Sequence, residues 1–472
     1  MIERLVRAHA TRLQWLYDRM PRPVQALATS ARGLSLTRIR YAPEMYRLLE
    51  ELLTHDSWGA ERVAQHQTEA LRRVVPHARS TVPSYAAYPL LNGQPTDGLR
   101  DLPVITREMV RNAPERFLSN STPAAERIRV ATTGTTVASL KVWYSARVAC
   151  QTWAFRMRQW AWARVEPRSP RLTFFGSRIV PPQRTTPPYW VANLPERQVL
   201  ASIYHLSERS APEYLSFLRR HRGWVLEGFP SVLGILADFV LRAGEAVPMR
   251  AVFTDGEPLY PFLCEKIKRA FGAQVWDSYG LTENCGLIQQ CERGGMHLIP
   301  EYGFLEILDG ENRPVARGEE GYFVWTSLVN ETMPLVRYRV GDRGCWQAGA
   351  DCGCGRAFPL VVPTITRDSD LLRCPDGRIL SPRALNQLLK DSYGFRFCQF
   401  VQESGDAVEI RAVASDASAG KELAGVQRRL EQLLGKGMRV TARLVSEPMA
   451  RAGGKIPLIV RRAGQQGSSG SC

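Results

Sequence analysis

The stretch MRAVFTDGEPLYPFLCEKIKRAFGAQVWDSYGLTE, residues 249–283, decides the fold. AVFTD and QVWDS are short apolar runs, and each ends in a turn that carries glycine and a carboxylate, Asp255-Gly256-Glu257 and Gly280 to Glu283. Between them, Leu263, Ile267, Ala270 and Phe271 recur at three- and four-residue spacings, the period of a helix with one apolar face. Strand, helix, strand is the unit that joins neighbouring parallel strands, because a parallel pair needs a long crossover. The same alternation runs upstream through RLTFFGSRIV (171–180), APEYLSFLRRH (211–221) and GWVLEGFPS (223–231). An α/β domain with mixed and parallel sheets is expected, and such sheets bind ligands at the carboxyl ends of their strands.

Outward from this core the pattern changes. Residues 1–90 read as a helical layer, with YAPEMYRLLEELL (41–53) and RVAQHQTEALRRVVPHA (62–78) as its clearest helices and Pro21, Pro23 and Gly33 punctuating the first segment. This layer is basic and amphipathic, which suits either a membrane or partner surface or the covering of the domain that follows, and the second is expected. The core spans 91–367 and includes a β subdomain at 302–346, where strand-like runs follow one another without helix signals. Residues 368–465 are expected to form a small α+β domain. It opens with a hairpin around Pro375-Asp376-Gly377, followed by a helix at 382–391, strands at 398–402 and 407–413, a helix at 421–435 and a strand at 440–445. The tail 466–472 has nothing to bury and is expected to be disordered.

The chain has 472 residues and a net charge of +16, and only seven of its cations are lysine. That excess favours anionic partners without choosing among them. No apolar run approaches the roughly 18 residues of a membrane span, and SVLGILADFVLRAG (231–244) is interrupted by Asp238 and reads as a packed helix. Glu3, Arg4 and Arg7 break the N-terminal run where a secretory core needs apolar residues. Ten cysteines are too few for a disulfide scaffold, so reduced thiols, metal ligands and a cytoplasmic protein are expected. The scattered arginines match no nucleic-acid-binding module.

Four short segments carry candidate chemistry. Thr132, Thr133, Gly134, Thr135 and Thr136 crowd small and hydroxylic residues after a strand, a donor surface suited to phosphate. Glu257 and Glu283 follow strand-end glycines, where a carboxylate can hold magnesium or simply favour a helix dipole. Asp342, after Gly341 in RYRVGD, can accept ribose hydroxyls or cap a turn. Lys455 sits on a two-glycine loop, GGKIP. Separately, Cys291, His297, Cys352 and Cys354 make a complete Cys3His set for a structural zinc ion, with Cys285 and Cys345 as substitutes.

In this order, TTGTT, GEP, YGLTE, MPLVRYRVGD, TRDSD and GGK resemble the adenylate-forming superfamily of acyl-CoA synthetases. Together with CGCGR, GRILSPRAL and the helical N-terminus with its VPSY, they resemble its phenylacetate–CoA ligase/CapK-like branch along nearly the whole chain. The resemblance implies ATP-dependent activation of a carboxylic acid as an acyl-adenylate, then transfer to a thiol such as coenzyme A. Its alternatives are an amide-forming or carrier-loading adenylyltransferase of polysaccharide or natural-product biosynthesis, and a degenerate nucleotide-binding relative. The partners implied are a small-molecule acid and an acceptor thiol or amine, with a monomer or homodimer as the assembly.

Residue by residue, the resemblance implies that Thr132 to Thr136 hold the β- and γ-phosphates of ATP. Gly256, Glu257, Ser278, Tyr279 and Gly280 line the adenine pocket. Thr282 meets the α-phosphate, Glu283 the Mg2+ ion, Asp342 and Arg367 the ribose, and Lys455 the charge that builds during adenylation. Phe174, Phe175, Gly228, Phe229 and Pro230 fall where the superfamily builds its acyl pocket, which suits an aromatic acid. Two departures stand out. Val137 and Ser139 replace a glycine and a proline of the phosphate loop, and the valine reduces backbone freedom there. The resemblance also implies that the C-terminal domain is mobile, and at its hinge Thr366 and Ser369 replace a glycine and an aspartate.

Overall fold

The computed structural model describes residues 10–461, apart from 90–92, 94, 132–139, 182, 208, 258, 260, 350, 364–371, 381–384, 386–387, 390–391, 393, 415–416, 448 and 450–457. An eight-stranded sheet forms its centre. Gln198–Ala201, Arg171–Phe174, Val225–Gly228, Ala251–Asp255 and Val275–Gly280 lie side by side and parallel. Trp190–Asn193 closes one edge antiparallel, and Leu287–Gln290 with Met296–Leu298 closes the other. The sheet is thus the mixed, mainly parallel one expected from the alternating pattern. Helices Ala211–Arg220, Pro230–Arg242 and Pro261–Phe271 provide the intervening crossovers. Leu233, Leu236, Val240, Ile267 and Phe271 from these helices join Leu172, Phe174 and Leu226 of the sheet in one continuous core.

The β subdomain is a five-stranded sheet built on Gly303–Leu308, Gly321–Ser327 and Tyr338–Trp346. The sequence signals for it stop at 346, but two further strands join. Ile105–Thr106 pairs parallel with the start of Tyr338–Trp346, and Val361–Pro363 pairs antiparallel with its end. Both are too short for a periodic signal. Ile105 and Val361 contribute their side chains to the core under this sheet.

Helices Pro43–His55 and Ala60–Thr81 occupy the two strongest N-terminal stretches. Gly33 corrects an expectation: it does not break the chain but sits inside one helix, Arg22–Arg40. A Cβ at this position would stand 1.8 Å from Asn193 Oδ1, so the glycine allows the helix to cross closely over the edge of the central sheet. In the C-terminal unit, Leu372–Arg373 and Ile379–Leu380 form the expected hairpin around Asp376. A four-stranded sheet in the order Arg439–Leu444, Ala407–Ala414, Phe395–Ser404, Ile459–Arg461 packs with helix Ala419–Leu434. Most of the helix expected at 382–391 lies outside the described residues, as do the hinge at 366–370 and the tail at 466–472. No described helix is long and apolar enough to cross a membrane.

Candidate active site and metal centre

Gly256 ends the strand Ala251–Asp255 with φ at +78°, a conformation open to glycine at no steric cost. Glu257 follows it half-buried. On the next strand, Asp277 accepts a hydrogen bond from Thr254 Oγ1 at 2.5 Å, and its backbone carbonyl accepts one from Gln159 Nε2. Burial pushes the Asp277 carboxyl up to about 7, against the lowering effect of the Thr254 bond and with the help of the neighbouring Asp255 charge. Ser278 Oγ donates to Gln159 Oε1 at 2.8 Å, so this strand end is fixed from the helix Ala146–Trp162.

Tyr279 and Asp342 join the two sheets. The Tyr279 hydroxyl donates to Asp342 Oδ2 at 2.7 Å, while its ring stacks on Trp325 and meets the edge of Phe323. Asp342 itself is exposed, following Gly341 at φ +101°. Beyond Gly280 and Thr282 the chain turns inward and buries Glu283, which is 2% exposed. Its carboxylate accepts from the Tyr338 hydroxyl at 3.1 Å and faces the Arg107 guanidinium at 3.6 Å. Asn330 Nδ2 donates to the Glu283 carbonyl.

Arg107 and Tyr338 were not singled out by sequence reading. Arg107 opens the short helix Arg107–Asn112, and its charge is favoured by Glu283, Tyr338 and Asp342 against burial. Tyr338 does stand in the quoted MPLVRYRVGD segment, two positions before Val340 on the same strand, so its inward face was readable from strand alternation. Arg107 has no such signal; only the pairing of Ile105–Thr106 with the Asp342 strand brings it here. Gly256, Ser278, Tyr279 and Gly280, the residues expected to line an adenine pocket, therefore converge with the carboxylates Glu283 and Asp342 and with Thr282 around one strand end. Thr132, Thr133, Gly134, Thr135, Thr136, Arg367 and Lys455 lie outside the described residues.

The residues expected to line an acyl pocket divide between two roles. Phe174 is fully buried in the core against Tyr214 and Phe217. Phe175 is only partly buried and meets the edge of the Phe229 ring at 5.0 Å. Gly228 leaves no room for a side chain, since a Cβ would approach Phe174 to 2.9 Å, and Pro230 opens the following helix.

Cys291, His297, Cys352 and Cys354 are brought together as the sequence suggests, with their ligand atoms all within 4.8 Å of one another. Cys291 Sγ lies 3.7 Å from Cys352 Sγ, and His297 Nε2 lies 3.1 Å from Cys352 Sγ and 3.3 Å from Cys354 Sγ. Tetrahedral zinc with bonds of about 2.3 Å sets its sulfurs about 3.8 Å apart, so the donor set fits that ion. His297 Nδ1 donates to the Phe358 carbonyl at 2.9 Å, which leaves Nε2 as the lone-pair atom facing the thiols. Burial lowers the His297 pKa, keeping the imidazole neutral as a ligand must be. Gly295 allows Cys352 to approach, since a Cβ there would lie 2.8 Å from the Cys352 Cβ. Cys285 instead packs in the apolar core near Trp325, and Cys345 lies on the strand Tyr338–Trp346; neither belongs to the cluster.

No family model matches the chain. Among curated proteins it is 20% identical over 458 residues to protein CapK of Staphylococcus aureus, covering 94% of this chain and 98% of that one. It is 29% identical over 156 residues to the phenylacetate-coenzyme A ligase of Thermus thermophilus, covering 31% of this chain and 35% of that one. Among solved structures, 2-hydroxyisobutyryl-CoA ligase in complex with 2-HIB-AMP and CoA is 19% identical, with a TM-score of 0.53 over 86% of this chain and 91% of that one. The chain is thus similar in sequence to proteins named CapK and phenylacetate-coenzyme A ligase, the branch that the motifs resemble, and in fold to an acyl-CoA ligase.

Proposed function

We propose that this chain uses ATP to activate a carboxylic acid as an acyl-adenylate and then passes the acyl group to a thiol, that of coenzyme A. The observation that carries this reading is that Asp342, from the β subdomain, meets the end of the strand Val275–Gly280 beside Glu283, which lies in the turn that follows that strand. One carboxylate is buried and held by Tyr338 and Arg107; the other is exposed beside Gly341, within the strand Tyr338–Trp346. That difference suits the first to a cation and the second to sugar hydroxyls. Support comes also from phenylacetate-coenzyme A ligases among the curated relatives and from a ligase of the same fold, solved with an acyl-AMP and CoA.

In this reading the acid's carboxylate oxygen attacks the α-phosphorus of ATP and pyrophosphate leaves; the thiol then attacks the acyl carbon and AMP leaves. Asp342 orients the ribose, Gly256 and Tyr279 flank the base, and Thr282 faces the α-phosphate. Mg2+ at Glu283 neutralises phosphate charge when bound. Thr132 to Thr136 and Arg367 complete the nucleotide site, and Lys455 reaches it when the small C-terminal domain turns about residues 366–370. Phe175 and Phe229, edge to face, favour a flat aromatic acid. The Cys3His cluster holds a structural zinc ion with no ligand position left for water.

CapK aligns over nearly its whole length, and its name specifies no acceptor, which keeps an amine or a carrier as the second reading. Pyrophosphate release across aromatic and aliphatic acids, followed by product mass with and without coenzyme A, tests both. Release with an acid and a thioester only when coenzyme A is present is expected. No release with any acid, together with no heat on adding Mg-ATP in calorimetry, overturns the enzymatic reading. Lys455→Ala is expected to abolish most adenylation while sparing acyl transfer from pre-formed adenylate.

A further inference from the structure

Helix Arg22–Arg40 is amphipathic in the wrong sense for a surface helix. Polar groups anchor its inner side. Gln25 Nε2 donates to the Tyr17 carbonyl, Thr37 Oγ1 donates to Glu196, and Arg40 pairs with Glu196. Val24, Leu27, Ala28, Ala31 and Leu34 lie along the other side at three- and four-residue spacings, and all are exposed. Leu27 is 70% exposed and Leu34 46%. A helix on a soluble domain normally turns charged and polar residues to that side. The preceding helix, Ala10–Arg19, adds Trp15 at 57% exposure, with the Arg19 guanidinium 3.8 Å above its ring.

The charge carried by these two helices is almost all positive, although Arg38 shares a cleft with Glu44 and Glu51. Arg19, Arg22, Arg32 and Arg38 are exposed along the two helices. Residues 1–40 hold eight arginines against only Glu3 and Asp18, and Asp18 is paired with Arg178 at 2.6 Å. A symmetric dimer through this face would set the same arginines against each other. A surface of leucine, valine and tryptophan ringed by arginine matches instead the boundary between anionic headgroups and acyl chains.

We propose that this face docks the protein on an anionic lipid bilayer, with Trp15, Val24, Leu27 and Leu34 entering the headgroup region and Arg19, Arg22, Arg32 and Arg38 meeting lipid phosphates. The attachment is peripheral and independent of the nucleotide site. The full chain, co-sedimented with vesicles of phosphatidylglycerol and phosphatidylcholine, is expected to pellet, and to stay in solution with pure phosphatidylcholine or in high salt. Leu27→Glu with Leu34→Glu is expected to lower the bound fraction at least tenfold. As a second arm that leaves the apolar stripe intact, Arg22→Gln with Arg32→Gln and Arg38→Gln is expected to weaken binding by about fivefold per charge removed. Failure of the parent chain to bind anionic vesicles overturns the proposal. So does parent-like binding by both variants. A parent that is dimeric by light scattering and a Leu27→Glu/Leu34→Glu variant that is monomeric would also overturn it, by assigning the face to a second copy.

Discussion

The Tyr279 hydroxyl donates to Asp342 Oδ2 at 2.7 Å across 63 residues of sequence, tying the last parallel strand of the central sheet to the longest strand of the β subdomain. The stacking of Tyr279 on Trp325 fixes the ring, so the hydroxyl is aimed before any ligand arrives. Tyr279→Phe keeps that packing and removes one hydrogen bond. A loss of about 1 kcal/mol in stability is expected. If Asp342 grips the ribose, the KM for ATP should rise severalfold while kcat changes less. Steady-state pyrophosphate release and urea denaturation separate the two effects; an unchanged KM in a destabilised variant would leave Asp342 with a purely structural role.

Arg107 faces Glu283 at 3.6 Å in a site where the carboxylate is almost wholly buried. Removing one member of such a pair leaves the other charge uncompensated. Arg107→Gln is expected to cost about 1–3 kcal/mol, less than a fully buried pair because the arginine keeps some exposure and Tyr338 still donates. Mg-ATP should recover part of that loss, because the bound cation supplies positive charge to the same carboxylate and ligand binding stabilises the folded state. Denaturation curves with and without Mg-ATP make the comparison. Equal losses under both conditions would separate Glu283 from the cation.

Much of this site could be read from its sequence where chemistry and period coincide. YGLTE and RYRVGD each set an acid shortly after a glycine that follows an apolar run, and both carboxylates stand near the end of the strand Val275–Gly280, although the strand bearing Asp342 continues to Trp346. The metal set was equally readable, because three cysteines and a histidine have few other reasons to cluster. Arg107 escaped because its position depends on a two-residue strand, Ile105–Thr106, whose partner lies more than 230 residues away. Gly33 misled for a related reason. Locally it signals a turn, but its use is a close crossing over Asn193 that only the tertiary fold defines. Phe174 and Phe175 are neighbours of like type, but Phe174 closes the wholly buried strand Arg171–Phe174, while Phe175 lies beyond its end and is only partly buried.

Asp277 gives the fold a pH signature. In an unfolded chain aspartate ionises near 3.9, whereas burial here raises it to about 7. Between those values the folded state holds a proton that the unfolded state has lost. The stabilising contribution is therefore complete below about pH 4, falls as pH rises, and is gone above about pH 7. Partial access to solvent reduces the size of the change to roughly 1–3 kcal/mol. Asp277→Asn keeps the shape and cannot ionise, so it should flatten this part of the profile and gain on the parent above pH 7. Urea midpoints at pH 5 and pH 8 for both proteins provide the check; parallel profiles would mean that Asp277 stays ionised in the folded state.

The Cys3His cluster makes the sharpest compositional prediction: one zinc ion per chain in the purified protein, measured by elemental analysis. Burial raises the Cys291 thiol and pushes that of Cys352 up to about 12, so without a cation these groups stay protonated. Metal uptake must then expel protons, and acid competes with it. Zinc transfer to a chelator should be faster and more complete at pH 5.5 than at pH 8. Cys354→Ser should lose most of the metal and several degrees of thermal stability, since the cluster links the edge strand Met296–Leu298 to the turn before Val361–Pro363. Parent protein that contains no zinc, or that keeps its full melting temperature after the metal is stripped, would reduce the four residues to a set of buried, reduced neighbours.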